Sequence, residues 1–429
     1  MDKLKLGRVM LAFAIFYFLL IGLVEAVVHS NDFIPLQTGA SCMLHGCDPY
    51  NEAQLLKEYA RNGGDNPDFR QAIWPTGVPP VYPPGSFLVV LPLALVRYPL
   101  AKLLWFVLNA ALFLVAARMM LKQCREKDRW LAVFLVAFFV GHMTYLVKMA
   151  QPAGFAISAA TIAYLLFLER RRLALATVML CLSVAIKPQM AGLLALYLLW
   201  RQGTRRHVAV ALGGALAIQL AGAAILHQNA ASANWLPELR QSIAESLLPG
   251  HTNDPAAETS DQISLQSAAA VFTPGATASG LVADGISLVL AGFWVAAVVR
   301  FRRDDQDGFL FMTGGLLVFS LLLVYHRLSD STLLLMAIPS IQIAVERMRK
   351  AGLALAGLTI FASTPIQNQS CFWLPENHPA IYRVIVENRF LYLLVQREAN
   401  LAMLGLFGLY LWIAFSPRFH EGKELAAVG

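Results

Sequence analysis

Apolar runs of roughly 17 to 25 residues recur along most of this 429-residue chain, and a helix needs that length to cross a bilayer core. Short turns rich in Lys and Arg separate the runs, such as KQCREKDR after Leu121 and RQGTRRH after Trp200. Only 14% of the residues are charged, whereas a soluble domain has about a quarter. We therefore predict an all-α polytopic membrane protein.

The net charge of +7 comes largely from these basic turns, so it predicts a membrane topology and no nucleic-acid partner. If every basic turn faces the cytoplasm, as the positive-inside rule requires, the chain crosses about twelve times with both ends inside. The first apolar run is too long for a cleaved signal peptide, and we expect it to be an uncleaved span. The predicted spans are 8–28, 100–121, 130–147, 154–168, 172–186, 188–200, 208–226, 280–300, 308–325, 331–346, 352–364 and 400–415.

Two places in this pattern predict helices that do not cross the whole bilayer. The segments 172–186 and 188–200 meet at the proline-broken junction IKPQ, which is typical of two half-length helices whose ends line a cavity. The segment 85–97 is apolar but short, which favours a re-entrant or half-length piece over a full span.

Three long segments fall on the outer side of this topology, at 29–84, 227–279 and 365–399. Each mixes Trp, Phe and Leu with polar residues, a composition typical of helices that lie in the membrane interface. Because no tandem repeat or low-complexity tract divides the chain, we predict one integral-membrane domain over residues 1–429.

Polar residues gather at the outer ends of the predicted spans. Each has an ordinary explanation: an acid can be solvated at a helix exit, a lysine can snorkel, and an Asp-Pro pair can start a turn. Ionisable residues near membrane depth are nevertheless candidates for function, and together these predict a cavity open to the outer side. The candidates are Asp32, Asp48, Tyr82, Gln151, Lys187, His326, Arg327 and Asp330.

Several motifs follow one another in an order that resembles a known family. They are NDF with GA five residues later, HGCDPY, VYPPG before an apolar run, a glutamine after a span, IKP inside a span, DQISLQS before a span, and YHRLSD. The chain resembles the family-87 polyprenol-phosphate-dependent glycosyltransferases, membrane enzymes of the GT-C fold related to bacterial mannosyltransferases. The resemblance covers about residues 8 to 340.

The resemblance implies a GT-C-type bundle of about twelve helices with interfacial helices in the outer loops. It implies transfer of a hexose, with mannose as one candidate, from polyprenyl phosphate to a lipid or glycan acceptor at the periplasmic face of a bacterial inner membrane. Asp32 matches the general base, and Lys187 with His326 and Arg327 matches positions that bind the donor phosphate. Tyr82 would shape the loop against the membrane, and Gln151 matches the glutamine that follows a span.

The chemistry of such a transfer requires these residue types, whether or not the family resemblance holds. A departing phosphate needs cations near it, and the incoming hydroxyl needs a carboxylate to accept its proton. One base with direct displacement predicts inversion, whereas a retaining mechanism would need a second carboxylate, for which Asp48 and Asp330 are candidates. Because Lys and Arg can neutralise a phosphate and the first loop has no Asp-x-Asp, we expect no metal or other cofactor.

Two other classes of function stay open at this point. Broken helices with a buried lysine also occur in secondary transporters and lipid flippases, although those proteins have compact loops and inverted repeats. A ligase or polymerase of lipid-linked oligosaccharides would use a late loop, and 227–279 contains Arg240 and His251. No Walker-type loop is present, which argues against an ATP-driven pump.

The stretch CMLHGCDPY offers either a metal site or a disulfide. Cys42, His45 and Cys47 are three ligands without a fourth, which makes a poor zinc site. In an oxidising compartment Cys42 and Cys47 could instead close a small disulfide ring, with Cys371 as a competing partner. We expect the remaining cysteines, Cys124 and Cys181, to be reduced.

Overall fold

A computed structural model describes most of the chain. The described residues are 2–28, 32–64, 81–201, 203–249, 251, 253–257, 261–273, 275–301, 305–364 and 374–420. Cys371 and parts of the three predicted outer loops lie outside them. The chain divides into an amino-terminal unit, Phe13–Met119 with Val140–Thr252, and a carboxy-terminal unit, Met1–Ala12 with Met120–Phe139 and Asn253–Gly429.

Eleven α-helices lie in the first 252 positions of the described chain, and three of them, α1, α5 and α6, contribute to both units. They are α1 (Lys3–Val28), α2 (Phe33–His45), α3 (Glu52–Arg61), α4 (Pro84–Ala94), α5 (Tyr98–Gln123), α6 (Arg129–Lys148), α7 (Pro152–Glu169), α8 (Leu173–Ile186), α9 (Pro188–Trp200), α10 (Arg205–Gln228) and α11 (Trp235–Ser246). A short 3₁₀ turn, Ala230–Ser232, follows α10.

The rest of the carboxy-terminal unit is also helical, with one small antiparallel sheet among its described residues. Its elements are β1 (Gln262–Ile263), α12 (Leu265–Ala270), α13 (Ala276–Arg300), α14 (Gln306–Leu323), β2 (His326–Arg327), a 3₁₀ helix (Leu328–Ala337), α15 (Ile338–Arg347), α16 (Arg349–Ala362), α17 (Pro379–Glu387), α18 (Arg389–Gln396) and α19 (Glu398–Phe415). In the sheet, Gln262 pairs with Arg327 and Ile263 with His326.

The all-α polytopic fold predicted from the sequence is confirmed. Nine helical stretches of the described residues are long and apolar enough to cross a membrane. All twelve predicted spans are helical, but three of them, α8, α9 and α16, have 13 or 14 residues. A helix of that length reaches about 20 Å, which is less than the thickness of a hydrocarbon core.

Burial distinguishes helices inside the protein from helices that face lipid. In α7 every residue from Pro152 to Leu168 is buried, so this helix is part of the core of the amino-terminal unit. In α13 large apolar side chains point outward, with Leu288 76% exposed. Because an apolar helix is stable in such a position only when lipid surrounds it, α13 is a lipid-facing span.

The helices α8 and α9 form a hairpin that does not cross the full bilayer. The hairpin begins just after α7, and Gly203 beyond its end lies against the Arg170 guanidinium, which also follows α7. Both ends of the hairpin are therefore near the same end of α7, and its tip is Lys187. The structure thus confirms two half-length helices at the IKPQ junction.

The other short apolar segment, predicted at 85–97, is α4. It has 11 residues, or about 16 Å, so its length also fits a half-length helix. Its first turn lies against α10, where a Cβ atom added to Gly222 would be 2.7 Å from the Pro84 carbonyl group. The absence of a side chain at Gly222 therefore permits this close approach.

The first predicted outer loop is braced by a disulfide and a polar cluster. Cys42 and Cys47 form the predicted disulfide, and Cys124 and Cys181 are free. The Nδ1 of His45 lies 2.7 Å from the Glu58 carboxylate, and this contact joins α2 to α3. Gly46 ends α2 with φ +74°, a left-handed conformation that favours glycine.

Candidate active site

Asp32, the predicted general base, occupies the N-cap position of α2 and is half-buried. Its backbone N–H donates to the Met149 carbonyl at 3.0 Å, and its own carbonyl accepts a hydrogen bond from the Tyr82 hydroxyl at 3.3 Å. The side chain makes no capping hydrogen bond to α2. The backbone of Asp32 is thus held from two sides while its carboxylate is not used to start the helix.

The corner that holds Asp32 lies between α6 and α7. Ala150 adopts a left-handed conformation there, and its carbonyl accepts a hydrogen bond from the Trp105 indole at 3.0 Å. Gln151 is buried and is the N-cap of α7, and Lys148 pairs with Glu25 at 3.3 Å. The amino end of α7, which is the positive end of its helix dipole, is therefore close to Asp32.

The α8–α9 hairpin brings Lys187 toward the amino end of α7, where the Asp32 corner lies. The Ser183 hydroxyl in α8 donates to the Ala156 carbonyl in α7 at 2.8 Å. The two helices run in opposite directions, so one further turn places half-buried Lys187 beside Pro152, next to the Asp32 corner. The tip of the hairpin is also the amino end of α9, whose dipole adds to the positive charge of the lysine.

The segment Tyr82–Ser86 connects these two places. Its first residue contacts Asp32 through the Tyr82 hydroxyl, and its last donates from the Ser86 hydroxyl to the Ile186 carbonyl at 2.9 Å. Gln219 completes this link, since it accepts from the Gly85 N–H at 2.8 Å. A tyrosine and two prolines at the start of α4 thereby hold Asp32 and the hairpin tip in fixed positions relative to each other.

Asp48 is buried and bonded within its own loop. Its Oδ1 accepts the Tyr50 N–H at 2.9 Å, the pattern of an Asp-Pro turn. Glu238 of α11 lies against Asp48, and its hydrogen bond to Asp48 together with burial raises the pKa of Glu238 to about 7. The sequence pattern did not indicate Glu238, because nothing local to α11 shows that it meets the first loop.

The other three candidates lie in the carboxy-terminal unit, around the small sheet. His326 is fully buried with Nδ1 3.2 Å from Asp330, and its Nε2 has no hydrogen-bond partner in the described part of the chain. Arg327 is paired with Asp261 at 2.6 Å. Asp330 thus orients the imidazole, and Nε2 is the atom of this group that a ligand could bind.

The structure therefore groups four predicted residues, Asp32, Tyr82, Gln151 and Lys187, in the amino-terminal unit. A second group, His326 with Arg327 and Asp330, lies in the carboxy-terminal unit. The prediction that both groups face one outer cavity stays a prediction, as do the roles of the individual residues.

Comparison with known proteins gives the class of the enzyme. The family model described as glycosyltransferase family 87 matches residues 81–324, which is more than half of the chain. The chain belongs to glycosyltransferase family 87. No curated protein and no solved structure matches.

The match divides the candidate residues of this glycosyltransferase. Tyr82, Gln151 and Lys187 fall within the matched region, whereas Asp32, Asp48 and the group from His326 to Asp330 fall outside it. Family membership makes the chain a membrane glycosyltransferase. For such an enzyme, an acidic and a basic residue near helix amino ends would suit a proton acceptor and a place for an anionic leaving group, and both roles stay predictions.

Proposed function

We propose that this glycosyltransferase moves a hexose, with mannose as one candidate, from polyprenyl phosphate to a lipid or glycan acceptor. We place the reaction at the periplasmic face of a bacterial inner membrane. The observation that carries the proposal is the segment Tyr82–Ser86, which contacts Asp32 at one end and the Lys187 hairpin tip at the other. A base and a phosphate-binding cation held by one short segment suit a displacement at a sugar–phosphate bond.

In this proposal Asp32 accepts the proton of the acceptor hydroxyl, and Lys187 takes up the charge of the departing phosphate. The positive end of the α7 dipole, at Gln151, also suits an anion. Neutralisation by lysine and helix ends is why the proposal includes no metal. His326 and Arg327 are proposed to bind the donor phosphate as well, with Asp330 holding the imidazole at Nδ1.

The proposal includes inversion at the anomeric carbon. A retaining mechanism would use a second carboxylate close to the sugar. In the amino-terminal unit the candidate for that role, Asp48, is 1% exposed and accepts hydrogen bonds within its own turn. Asp48 is therefore better suited to support the loop than to attack a sugar, which supports a single-base displacement.

The test is transfer from a polyprenyl-phosphate sugar by purified variants. Asp32→Asn keeps the size of the side chain and removes the base, so we expect turnover to fall by about 10²- to 10⁴-fold. Lys187→Ala should raise the KM for the donor by about tenfold or more, since it removes a charged hydrogen bond to phosphate.

Asp2→Asn and Lys57→Ala are the matched controls, because both residues are exposed and neither is a candidate site residue. We expect both to retain normal kinetics. Near-normal turnover of Asp32→Asn would contradict the assignment of the base, and an unchanged donor KM in Lys187→Ala would remove Lys187 from the phosphate site.

A further inference from the structure

A polar cavity lies in the carboxy-terminal unit, beside the third predicted outer loop. It has a volume of about 230 Å³. Three polar residues line it, Arg389 and Tyr392 of α18 and Arg397 just after that helix. The remaining walls are apolar side chains of Ala256, Ala270, Val271 and Val386.

Positive charge dominates the lining of this cavity. Arg397 is fully buried and is oriented by the backbone, because its Nη2 donates to the Ala257 carbonyl at 2.7 Å and to the Pro255 carbonyl at 3.3 Å. Arg389 donates to the Phe272 carbonyl at 3.2 Å. Among the described residues that line the cavity, none is acidic. Because a guanidinium stays charged when it is buried, an anion in this cavity is favoured.

The two helices beside the cavity, α17 and α18, are shaped to lie on a membrane. On α17 and α18 the apolar residues Ile381, Val384, Phe390 and Leu394 are exposed, whereas Gln396 is buried. Short helices with an exposed apolar face bind at the level of lipid head groups. The anion most available to an arginine cavity at that level is the phosphate of a lipid.

We propose that this cavity binds the phosphate group of an anionic membrane lipid. Arg389 and Arg397 supply fork-shaped donors that match phosphate oxygens, and Tyr392 is a further polar residue of the wall. The apolar face of α17 and α18 then receives the acyl or prenyl chains. Both a phospholipid and a polyprenyl phosphate have this chemistry, and binding does not depend on the proposed roles of Asp32 and Lys187.

The cavity is connected to the group around Arg327 through one stretch of chain. Arg397 binds the Ala257 carbonyl, and a few residues later Asp261 forms the ion pair with Arg327. Asn400 fixes the same stretch, because its side chain donates to the Gln262 carbonyl at 3.1 Å. A lipid phosphate in the cavity would therefore contact the side chain that holds the start of this stretch.

The experiment compares lipid retention by the full-length protein and two single variants. Protein is released from phosphatidylcholine nanodiscs that contain a minor fraction of either phosphatidylglycerol or a short-chain polyprenyl phosphate, and bound lipid is read by native mass spectrometry. Arg389→Gln removes an exposed arginine of the cavity, so folding should be preserved. Arg383→Gln is the control, since it removes an exposed arginine of α17 that does not line the cavity.

We expect the wild type and Arg383→Gln to retain the added anionic lipid within twofold of each other, and Arg389→Gln to retain about tenfold less. Loss of phosphatidylglycerol retention identifies a phospholipid site, and loss of polyprenyl phosphate retention identifies a polyprenyl phosphate site. Equal retention by Arg389→Gln and the wild type for both lipids overturns the proposal. Retention of neither lipid by the wild type also overturns it.

Discussion

Asp48 and Glu238 show how a single contact can change the chemistry of a residue. The two carboxyls meet beside Tyr50 and Trp235, whose rings stack with centroids 6.4 Å apart. Two carboxyl groups that share a hydrogen bond cannot both ionise without cost, so the pair retains a proton to higher pH than a solvated acid. The contact between the first loop and α11 is thus strongest while that proton is bound.

A pH dependence of stability follows from this pair. The pKa of Glu238 is raised to about 7 in the folded protein from 4.5 for an ordinary glutamate, so the folded state binds the proton more tightly than the unfolded state. The stability of the folded state is therefore greatest below pH 4.5 and falls as the pH rises toward about 7. We expect the Glu238→Gln variant to lack this decrease in stability. The melting temperature of the variant minus that of the wild type should therefore increase between about pH 5 and pH 8.

Glu245→Gln, on the same helix, is the control for the loss of a charge. Its melting temperature should follow that of the wild type across the pH range. A constant difference between Glu238→Gln and the wild type at every pH would show that the two carboxyls do not share a proton.

At the residue scale the sequence indicated where charges lie but not what they contact. Arg327 stood out as a charge near a span end, yet its partner Asp261 is far away in sequence. Arg397 and Glu238 had no local pattern to mark them, since each acquires its importance from a segment that folds against it. Such contacts are set by tertiary packing, which hydrophobic periodicity does not encode.

At the scale of elements, the contact between α4 and α10 controls the position of the candidate site. The backbone of Pro84 lies directly against Gly222, and Gly85 donates to Gln219 one turn earlier in α10. Because α4 begins two residues after Tyr82, a shift of its first turn would move the residue that contacts Asp32. The contacts that Gln219 and Gly222 of α10 make with α4 therefore affect the position of Tyr82.

We expect Gly222→Ala to destabilise the protein by about 1 to 3 kcal/mol, because the added methyl group would overlap the Pro84 carbonyl. Transfer activity should fall as well, since the Tyr82–Ser86 segment must move. Thermal unfolding and turnover measure the two effects.

Gly213→Ala is the matched control on the same helix, because a Cβ atom there meets nothing within 4 Å. We expect it to be neutral or slightly stabilising, since alanine favours a helix. Equal behaviour of the two variants would contradict the close approach of α4 and α10.

The spans could be predicted from sequence because hydrocarbon thickness fixes their length, and proline with a short apolar run was enough to indicate half-length helices at Lys187. The α4 helix was expected for the same reason. The sheet was not predicted, since β1 and β2 have two residues each and pair only because distant segments meet.

At the scale of the whole molecule, the orientation in the membrane is the property to be measured. The topology predicted from basic turns puts α3 outside and the turn before α6 inside. We expect Lys57→Cys to react with a membrane-impermeant maleimide in intact cells, and Lys127→Cys to react only after the cells are opened. Both side chains are exposed, so either should label when the reagent reaches it.

The wild-type protein provides the background for this labelling. Burial raises the pKa of the Cys124 thiol to about 12, so it reacts slowly near neutral pH, and Cys42 and Cys47 are bonded to each other. Labelling of Lys127→Cys from outside intact cells would contradict the orientation and, with it, the periplasmic location of the proposed reaction.

The α8–α9 hairpin also has a consequence for how the protein is made. Neither α8 nor α9 is stable alone in the bilayer, because the hairpin tip would leave Lys187 and unpaired backbone groups in hydrocarbon. The groups that satisfy the tip come from α4 before it and α10 after it, through Ser86 and Gln219. Gln219 emerges from the ribosome only after the hairpin has been synthesised. We therefore expect the hairpin to stay in the insertion machinery or against α7 until α10 has been synthesised and inserted. Only then can the hairpin adopt its final position.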